Sequence, residues 1–525
     1  MRLSADGRYV AFTSAASNLV PNDTNGYFND VFVRDRQNGA VDHISVSTSG
    51  GSASLGVFAE VEMSADARFV VFVSGSANLV AGDANSSSDV FLRDRLSGTT
   101  ELVSLSSTGA QGNDLSVDAT MSDDGSRIAF TSYASNLVAG DTNGIADVFL
   151  RDRTAGTTQR ISVSTFGAQS LVASQYAVLS GDGRFVAFAG WDDLVVGDSN
   201  SAYDVLVRDL LTGTLEIASV SSGGALGDLP SLPGDLSFDG RYVTFQSSAT
   251  NLAAGDNNAA VDVFLRDRVL GTTEIVSLAA SGALGHQGAQ QSVISADGRW
   301  IAFESFASNL VAGDTNGSMD IFLRDRLTAT TQRASVGPLG EQSNEHSSLG
   351  DVSADGRCVA FWTFGEVVPG DINVANDVHV RDLGYVGASP ANYCTTKVNS
   401  AGCAPRIAAM GQALVSGYDS FFLGGHNVLA QKNGLFFWGH TPTALPFGGG
   451  TLCVQPPLVR TPIQSSGGNL GCTGSFWFHF SQAYMASESV VAGDTLYGQF
   501  WYRDSGFLPP NNIGLTDAVQ WTLAP

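Results

Sequence analysis

Read for its hydrophobic and polar positions, the first three-quarters of the chain repeats one pattern seven times. A polar turn, Ser-x-Asp-Gly-Arg, leads into an apolar run. It appears as SADGRYVAFTS from Ser4, SADARFVVFVS from Ser64, SDDGSRIAFTS from Ser122 and SGDGRFVAFAG from Ser180. SFDGRYVTFQS from Ser237, SADGRWIAFES from Ser295 and SADGRCVAFWT from Ser353 complete the series. The arginines at 8, 68, 127, 184, 241, 299 and 357 are separated by 60, 59, 57, 57, 58 and 58 residues. A second marker, Asp-Val-Phe-Leu-Arg-Asp-Arg, keeps the same beat, its Arg-Asp pairs starting at Arg34, Arg93, Arg151, Arg208, Arg266, Arg324 and Arg381. Two markers in constant phase define a repeat of supersecondary units.

Each unit predicts four short strands. Arg8-Tyr9-Val10-Ala11-Phe12 follows the Asp-Gly turn, where glycine tolerates positive φ. Asp30-Val31-Phe32-Val33-Arg34 is a second run, Val41 to Val46 a third, and residues such as Val61-Glu62-Met63 before the next turn a fourth. No unit holds a helical period, which argues against a βαβ solenoid. Runs apolar on consecutive residues fit strands covered on both faces. The expectation is an all-β chain whose residues 1–387 form a seven-bladed β-propeller, closure of the ring removing the exposed sheet edges. The chain opens directly on Arg2-Leu3-Ser4, and the seventh unit has no clear last strand after Leu383. We therefore expect Met1 not to be the natural start, with a secretion signal and a closing strand upstream.

The Ser-x-Asp-Gly-Arg-x-Val-Ala-Phe-x-Ser signature resembles the TolB-like β-propeller repeats, also found in the propellers of prolyl-oligopeptidase-type proteins. The resemblance covers residues 1 to about 385 and implies the fold; propellers serve binding, scaffolding and catalysis alike. TolB has six blades and an N-terminal domain, whereas this chain has seven repeats and a C-terminal domain, so TolB's role in the envelope is not carried over.

Composition then marks a boundary. Residues 388–525 hold ten of 15 prolines, four of seven tryptophans and four of five cysteines, with five basic and five acidic residues. The net charge of −24 therefore lies wholly on the repeats. A polyanion repels nucleic acid and anionic lipid, which excludes both as partners, and no apolar run is long enough for a membrane span. Gly434-Leu435-Phe436-Phe437-Trp438 and Gln499-Phe500-Trp501-Tyr502, broken by Gly and Pro, predict a smaller β-sandwich over 388–525. This segment resembles C-terminal modules of large secreted bacterial proteins through Tyr393–Ser400 (Y-C-T-x-K-x-N-S) and Leu445–Cys453 (L-P-F-x-G-G-T-L-C). Cys394, Cys403, Cys453 and Cys472 permit three disulfide connectivities. Local pairing, Cys394–Cys403 and Cys453–Cys472, closes short loops and is the expected one, with four reduced thiols as the alternative. The spacings of x8 and x18 differ from the C-x2-C of a zinc site. Disulfides place the chain in an extracellular, periplasmic or envelope compartment. Cys358, standing where other units have Tyr, Phe, Trp or Ile, is expected to be a buried thiol.

The recurring polar group is Asp-x-Asn-x-x-x-Asp before the second marker. It comprises Asp23, Asn25, Asp30 (one residue longer); Asp83, Asn85, Asp89; Asp141, Asn143, Asp147; and Asp198, Asn200, Asp204. Asp256, Asn258, Asp262; Asp314, Asn316, Asp320; and Asp371, Asn373, Asp377 complete it. Two readings stand: these oxygens bind Ca²⁺, with carbonyls and water completing the shell, or they cap backbone amides in Asx-turns. An EF-hand is excluded, because five strand residues put Asp147 and Asp152 about 16 Å apart. Asp6 and its equivalents are turn residues, and the Arg-Asp-Arg groups predict blade-to-blade ion pairs or a solvated strand end. The motif lacks the form of a sialidase Asp-box. No G-x-S-x-G, H-E-x-x-H, C-x-x-C or G-K-[ST] occurs, and the seven histidines keep no phase with the repeat.

These features predict a non-catalytic secreted or envelope-associated binding or scaffold protein, a monomer, presenting its acidic face or channel to a protein, peptide or glycan. The alternative is a polysaccharide hydrolase or lyase, with Trp438, Trp477 and Trp501 stacking on sugar rings or, more simply, filling the sandwich core.

Overall fold

A computed structural model describes the chain except residues 22, 192–193, 338–339, 366, 368–374, 384–390, 411–412, 414–420, 468–470, 473 and 524–525. It divides into two units, Met1–Leu383 and Gly384–Pro525. Among the described residues the first contains six antiparallel sheets of four strands and a seventh of three, each built from one sequence repeat. In blade 2 the strands run Val57–Met63, Phe69–Ser74, Asp89–Asp94 and Thr99–Leu102, in sheet order.

The consecutive apolar residues face two different neighbours. Val70, Phe72 and Phe91 of blade 2 pack on Ala11, Val31 and Val33 of blade 1. The alternate residues Val71, Val73, Val90 and Leu92 pack on Ile128, Phe130 and Phe149 of blade 3. Opposite side chains of a strand thus enter two cores, which is why these strands lack a polar face. Cross-strand Phe pairs such as Phe72–Phe91 and Phe245–Phe264, with centroids 5.8 and 5.5 Å apart, run down the middle of the blades.

The Ser-x-Asp-Gly turn builds itself from its own side chains. Ser4 Oγ donates to Asp6 Oδ1 (2.6 Å) and accepts from Tyr9 N (2.9 Å), while Asp6 Oδ1 accepts from Arg8 N (3.0 Å). Arg8 then grips Asp35 on the third strand through Nε (3.0 Å) and Nη2 (2.6 Å), and Arg68–Asp94, Arg184–Asp209, Arg241–Asp267, Arg299–Asp325 and Arg357–Asp382 repeat the clamp. The glycine of the turn has φ +65° at Gly240, and a Cβ there would lie 2.3 Å from the Phe185 ring of the preceding blade.

Turns of successive blades are joined by backbone hydrogen bonds. Ala5 N donates to Ala65 O (3.0 Å), Ala65 N to Asp123 O (2.9 Å), Asp123 N to Gly181 O (2.9 Å) and Asp182 N to Phe238 O (2.9 Å). Phe238 N donates to Ala296 O (3.0 Å), Ala296 N to Ala354 O (3.2 Å), and Ala354 N returns to Ala5 O (3.1 Å). The belt closes on itself. The seam between the seventh sheet and the first is sealed by Leu3 N donating to Asp351 Oδ2 (2.8 Å) and by a core of Leu3, Val10, Ala360 and the buried Cys358.

In the second unit, strands Ala391–Tyr393, Ile513–Thr522, Thr495–Arg503, Asn433–Gly439 and Val459–Arg460 form a sheet in that order, with Gln464–Ser465 added to it. A second sheet of Arg406–Met410, Phe422–Val428 and Gly474–His479 shares its core, in which Phe436, Phe500 and Trp521 meet Leu423 and Phe476. The buried Lys397 of the Y-C-T-x-K-x-N-S element donates from Nζ to Gly448 O and Ile513 O (2.6 Å each) and to Asn511 O (2.5 Å). The disulfides are Cys394–Cys453 and Cys403–Cys472, with Cα–Cα distances of 6.2 and 6.3 Å, not the local pairs expected from loop length. Strand pairing decides this: Ala391–Tyr393 lies against Ile513–Thr522, and Tyr393 Oη donates to Cys453 O (2.6 Å), which brings Cys394 to Cys453.

Two outcomes are expected. Non-reducing proteolytic mass mapping will find peptides joining 394 to 453 and 403 to 472, and none joining 394 to 403. Gly240→Ala will lower the denaturation midpoint by more than Gly167→Ala, which has φ +80° but open space around a new Cβ and so costs only the backbone strain of about 1 kcal/mol.

Candidate functional site

The first six Asp-x-Asn-x-x-x-Asp loops sit at the entry to the third strand of their blades. Their last aspartate is wholly buried at Asp30, Asp89, Asp147, Asp204, Asp262 and Asp320. Each accepts from a serine after the fourth strand, as Ser162 Oγ to Asp147 Oδ1 (2.5 Å), and that serine accepts Val148 N (3.0 Å). The same pairing joins Ser45–Asp30, Ser104–Asp89, Ser219–Asp204, Ser277–Asp262 and Ser335–Asp320 at 2.5–2.6 Å. The asparagines turn the loop. Asn85, Asn143, Asn200, Asn258 and Asn316 accept through Oδ1 from the amide two residues on, the geometry of an Asx-turn. Their amides donate to the next loop's carbonyls, as Asn143 to Ser170 O, and Asn25, Asn143, Asn200 and Asn316 also donate to the buried aspartate at 2.7–3.0 Å. Asp371 and Asn373 lie outside the described residues, and Asp377 begins the last strand of the seventh sheet.

The buried last carboxylate meets a different further side chain from blade to blade, and in blades 2, 3 and 6 that side chain also bridges to the first carboxylate. In blade 3, Arg160 Nη1 lies 3.1 Å from Asp141 Oδ1 and 3.2 Å from Asp147 Oδ2. In blade 6, Arg333 Nη1 bridges Asp314 and Asp320 at 3.2 and 3.1 Å. Blade 2 uses Gln111 Nε2, 2.6 Å from Asp83 and 2.8 Å from Asp89, and in blade 1 His43 Nε2 approaches Asp30 at 3.1 Å. Burial and the charge of Asp320 raise the pKa of Asp314 against the pull of Arg333. Among the described residues no group of three or more His, Cys, Asp or Glu side chains is placed to hold a metal ion.

The Arg-Asp-Arg group does three separate jobs. Its aspartate receives the clamp arginine of its own blade. Its last arginine reaches the preceding blade, as Arg95–Asp42, Arg153–Glu101, Arg268–Glu216 and Arg326–Glu274, and lies over that blade's aromatic ring, Arg268 being 4.2 Å from the Phe185 centroid. Its first arginine holds backbone carbonyls of the preceding blade, as Arg266 Nη1 holds Ser221 O (3.3 Å). The blade-to-blade expectation is met by the last arginine.

The channel ringed by the inner strands carries a cluster that the repeat signature hides. Two residues before each turn serine the sequence varies, and there stand Arg2, Glu62, Thr120, Asp235 and Asp351, lining a cavity of about 110 Å³ together with Asp123. Arg2 binds Glu62 Oε1 through Nη2 (2.6 Å) and Asp351 Oδ1 through Nη1 (3.2 Å). Asp235 Oδ2 accepts from Ile294 N of the next blade (3.0 Å), as Asp351 does from Leu3 N. Burial, reinforced by the charges of Asp124, Asp182, Asp235 and Asp351, pushes the Asp123 carboxyl up to about 7. Burial pushes Asp235 up to about 6 although Arg2 pulls the other way, and it raises Glu62 as well. Burial also opposes the charge of Arg2, but Glu62, Asp351 and Asp235 outweigh it and raise its pKa. Four carboxyl groups face one guanidinium, with the Met1 amino group also acting on Glu62, so the channel is electronegative once Asp123 and Asp235 are ionised. The signal available in the sequence was the recurrence of Glu62, Asp235 and Asp351 in one phase of the repeat.

The three tryptophans considered for sugar stacking do not share a platform. Trp438 is buried, with Nε1 donating to Tyr484 Oη (3.0 Å). Trp477 meets His426 edge-on on the smaller sheet, and Trp501 packs against the apolar cluster of Phe437, Leu452 and Leu515.

No sequence-family model matches this chain, and no curated protein does. Solved structures do resemble it. The β-propeller domain of the trilobed protease of Pyrococcus furiosus aligns at 11% identity and a TM-score of 0.45, covering 73% of this chain and 93% of that one. Oligogalacturonate lyase of Vibrio parahaemolyticus aligns at 9% identity and a TM-score of 0.42, covering 72% and 88%. TolB of Acinetobacter baumannii aligns at 14% identity and a TM-score of 0.36, over 63% of this chain, which spans 64% of that TolB chain's length. At such identities the likeness is one of fold: the chain is similar to TolB and other β-propeller proteins in its repeated antiparallel four-stranded sheets.

Proposed function

We propose that this chain is a non-catalytic binding module, acting outside the reducing cytosol, whose propeller channel receives a cationic group of its ligand. The observation that carries this reading is the ring of Glu62, Asp123, Asp235 and Asp351, balanced in part by Arg2 and by the Met1 amino group. A narrow, low-dielectric channel with an excess of carboxylates concentrates counter-charge, and a cavity of about 110 Å³ matches an alkylammonium group better than a folded segment. The two disulfides support an oxidising compartment. Among the described residues no helix is long and apolar enough to cross a membrane.

Protonation gives the channel its test. A carboxyl whose folded pKa is about 7 binds its proton more tightly than the unfolded chain does, near 3.9. Its contribution to stability therefore rises as pH falls from about 8 to about 4, and Asp123→Asn flattens that part of the profile. Spermine titrated calorimetrically into the full chain at pH 8 will bind saturably. Binding will weaken below pH 6 and by about tenfold or more in the Asp123→Asn/Asp235→Asn variant. No saturable heat at pH 8 refutes the reading, and release of reducing sugar from acidic polysaccharides would favour the hydrolase or lyase alternative.

A further inference from the structure

Three of the four channel carboxyl groups are already engaged. Arg2 holds Glu62 Oε1 through Nε (2.8 Å) and Nη2 (2.6 Å). Asp235 accepts Leu236 N on Oδ1 (2.8 Å) and Ile294 N on Oδ2 (3.0 Å). Asp351 accepts Val352 N and Arg2 Nη1 on Oδ1, and Leu3 N on Oδ2. Asp123 differs. Among the described residues its carboxyl receives no hydrogen bond and no ion pair, and it lines the cavity.

Asp123 is the second residue of its Ser-x-Asp-Gly turn, where the belt otherwise carries Ala5, Ala65, Gly181, Phe238, Ala296 and Ala354. All of these residues line the same cavity. The two side chains larger than a methyl group come from blades 3 and 5, and they flank Gly181 of blade 4. A Cβ on Gly181 would lie 2.9 Å from Asp123 Oδ1 and 2.5 Å from Phe238 Cδ2. Gly181 has no positive φ, so its missing side chain serves space: it lets a carboxyl group and an aromatic ring converge over one point of the belt. A primary ammonium brings three N–H donors, and this notch offers it one open carboxylate among apolar neighbours, which leaves donors unsatisfied in a desolvated space. A methylated ammonium carries the same charge without those donors and is attracted by the ring as well.

We infer that the notch over Gly181 seats the cation of the ligand and selects a trimethylammonium-type head, held between the Asp123 carboxylate and the Phe238 ring. The inference rests on the channel reading above and names the chemistry of its ligand. Choline and ethanolamine, titrated calorimetrically into the full chain at pH 8, test it. Both are cations there, Asp123 with its pKa of about 7 is ionised, and the two ligands differ only in N-methylation. Choline will bind about tenfold more tightly than ethanolamine, and its neutral carbon isostere, 3,3-dimethylbutan-1-ol, will not bind. Phe238→Leu will abolish the preference for choline and leave spermine binding in place. Gly181→Ala, which fills the notch, will weaken choline by about tenfold or more. Choline binding no tighter than ethanolamine, a preference unchanged in Phe238→Leu, or an isostere that binds as well as choline overturns the inference, and saturable spermine binding would still uphold the channel. Absence of saturable binding by every one of these cations removes the channel reading together with it.

Discussion

The belt of backbone hydrogen bonds between Ser-x-Asp-Gly turns is the contact on which the propeller depends. It links each turn to the next and returns from Ala354 to Ala5, so seven separate sheets become one closed body. A four-stranded sheet with both faces apolar is not stable alone; it gains stability only by burying each face on a neighbour. The belt fixes the spacing at which that burial occurs. It also explains the composition of the turn: Ser and Asp satisfy its amides internally, and Gly keeps a Cβ away from the aromatic ring of the adjoining blade.

Charge is arranged around the same geometry. The clamp arginines face aspartates of their own blade, the last arginines of Arg-Asp-Arg face acids of the preceding one, and both contacts lie partly in solvent, where each contributes about 0–1 kcal/mol. The buried aspartates at the start of the third strand matter more. Leaving such a carboxylate without its serine, asparagine or cationic partner would strand an ion in a low-dielectric interior. Arg160, Arg333, Gln111 and His43 are four solutions to one electrostatic problem. The channel is the opposite case, where Glu62, Asp123, Asp235 and Asp351 gather around Arg2, and burial shifts the titration of Glu62, Asp123 and Asp235 upward.

The C-terminal unit obeys a different economy. Lys397 is satisfied by three backbone carbonyls, and Ser400 N and Oγ both donate to Asp504, at 2.7 and 2.5 Å. The Y-C-T-x-K-x-N-S element is therefore a structural bracket, tied down by the two disulfides at Cys394 and Cys403.

Much of this was legible in the amino-acid order because it is local and repeated. The phase of Arg8 to Arg357 counts the blades, the apolar doublets name their strands, and the loss of the repeat marks the second unit. Turn-forming side chains act within five residues, so their roles follow from spacing. Other features depend on residues that meet only across the fold. Cys394 finds Cys453 through sheet pairing rather than through the short loop to Cys403. Arg2 meets Asp351 because the ring closes. Which donor reaches an aspartate pair depends on what the fold brings beside it, Arg160 from the fourth strand in blade 3 and Gln111 from the following loop in blade 2. The sequence by itself determined the repeating sheets and their order; tertiary closure alone decided which charges share a low-dielectric space, because Coulomb energy and burial depend on distance in the fold and not on separation along the chain.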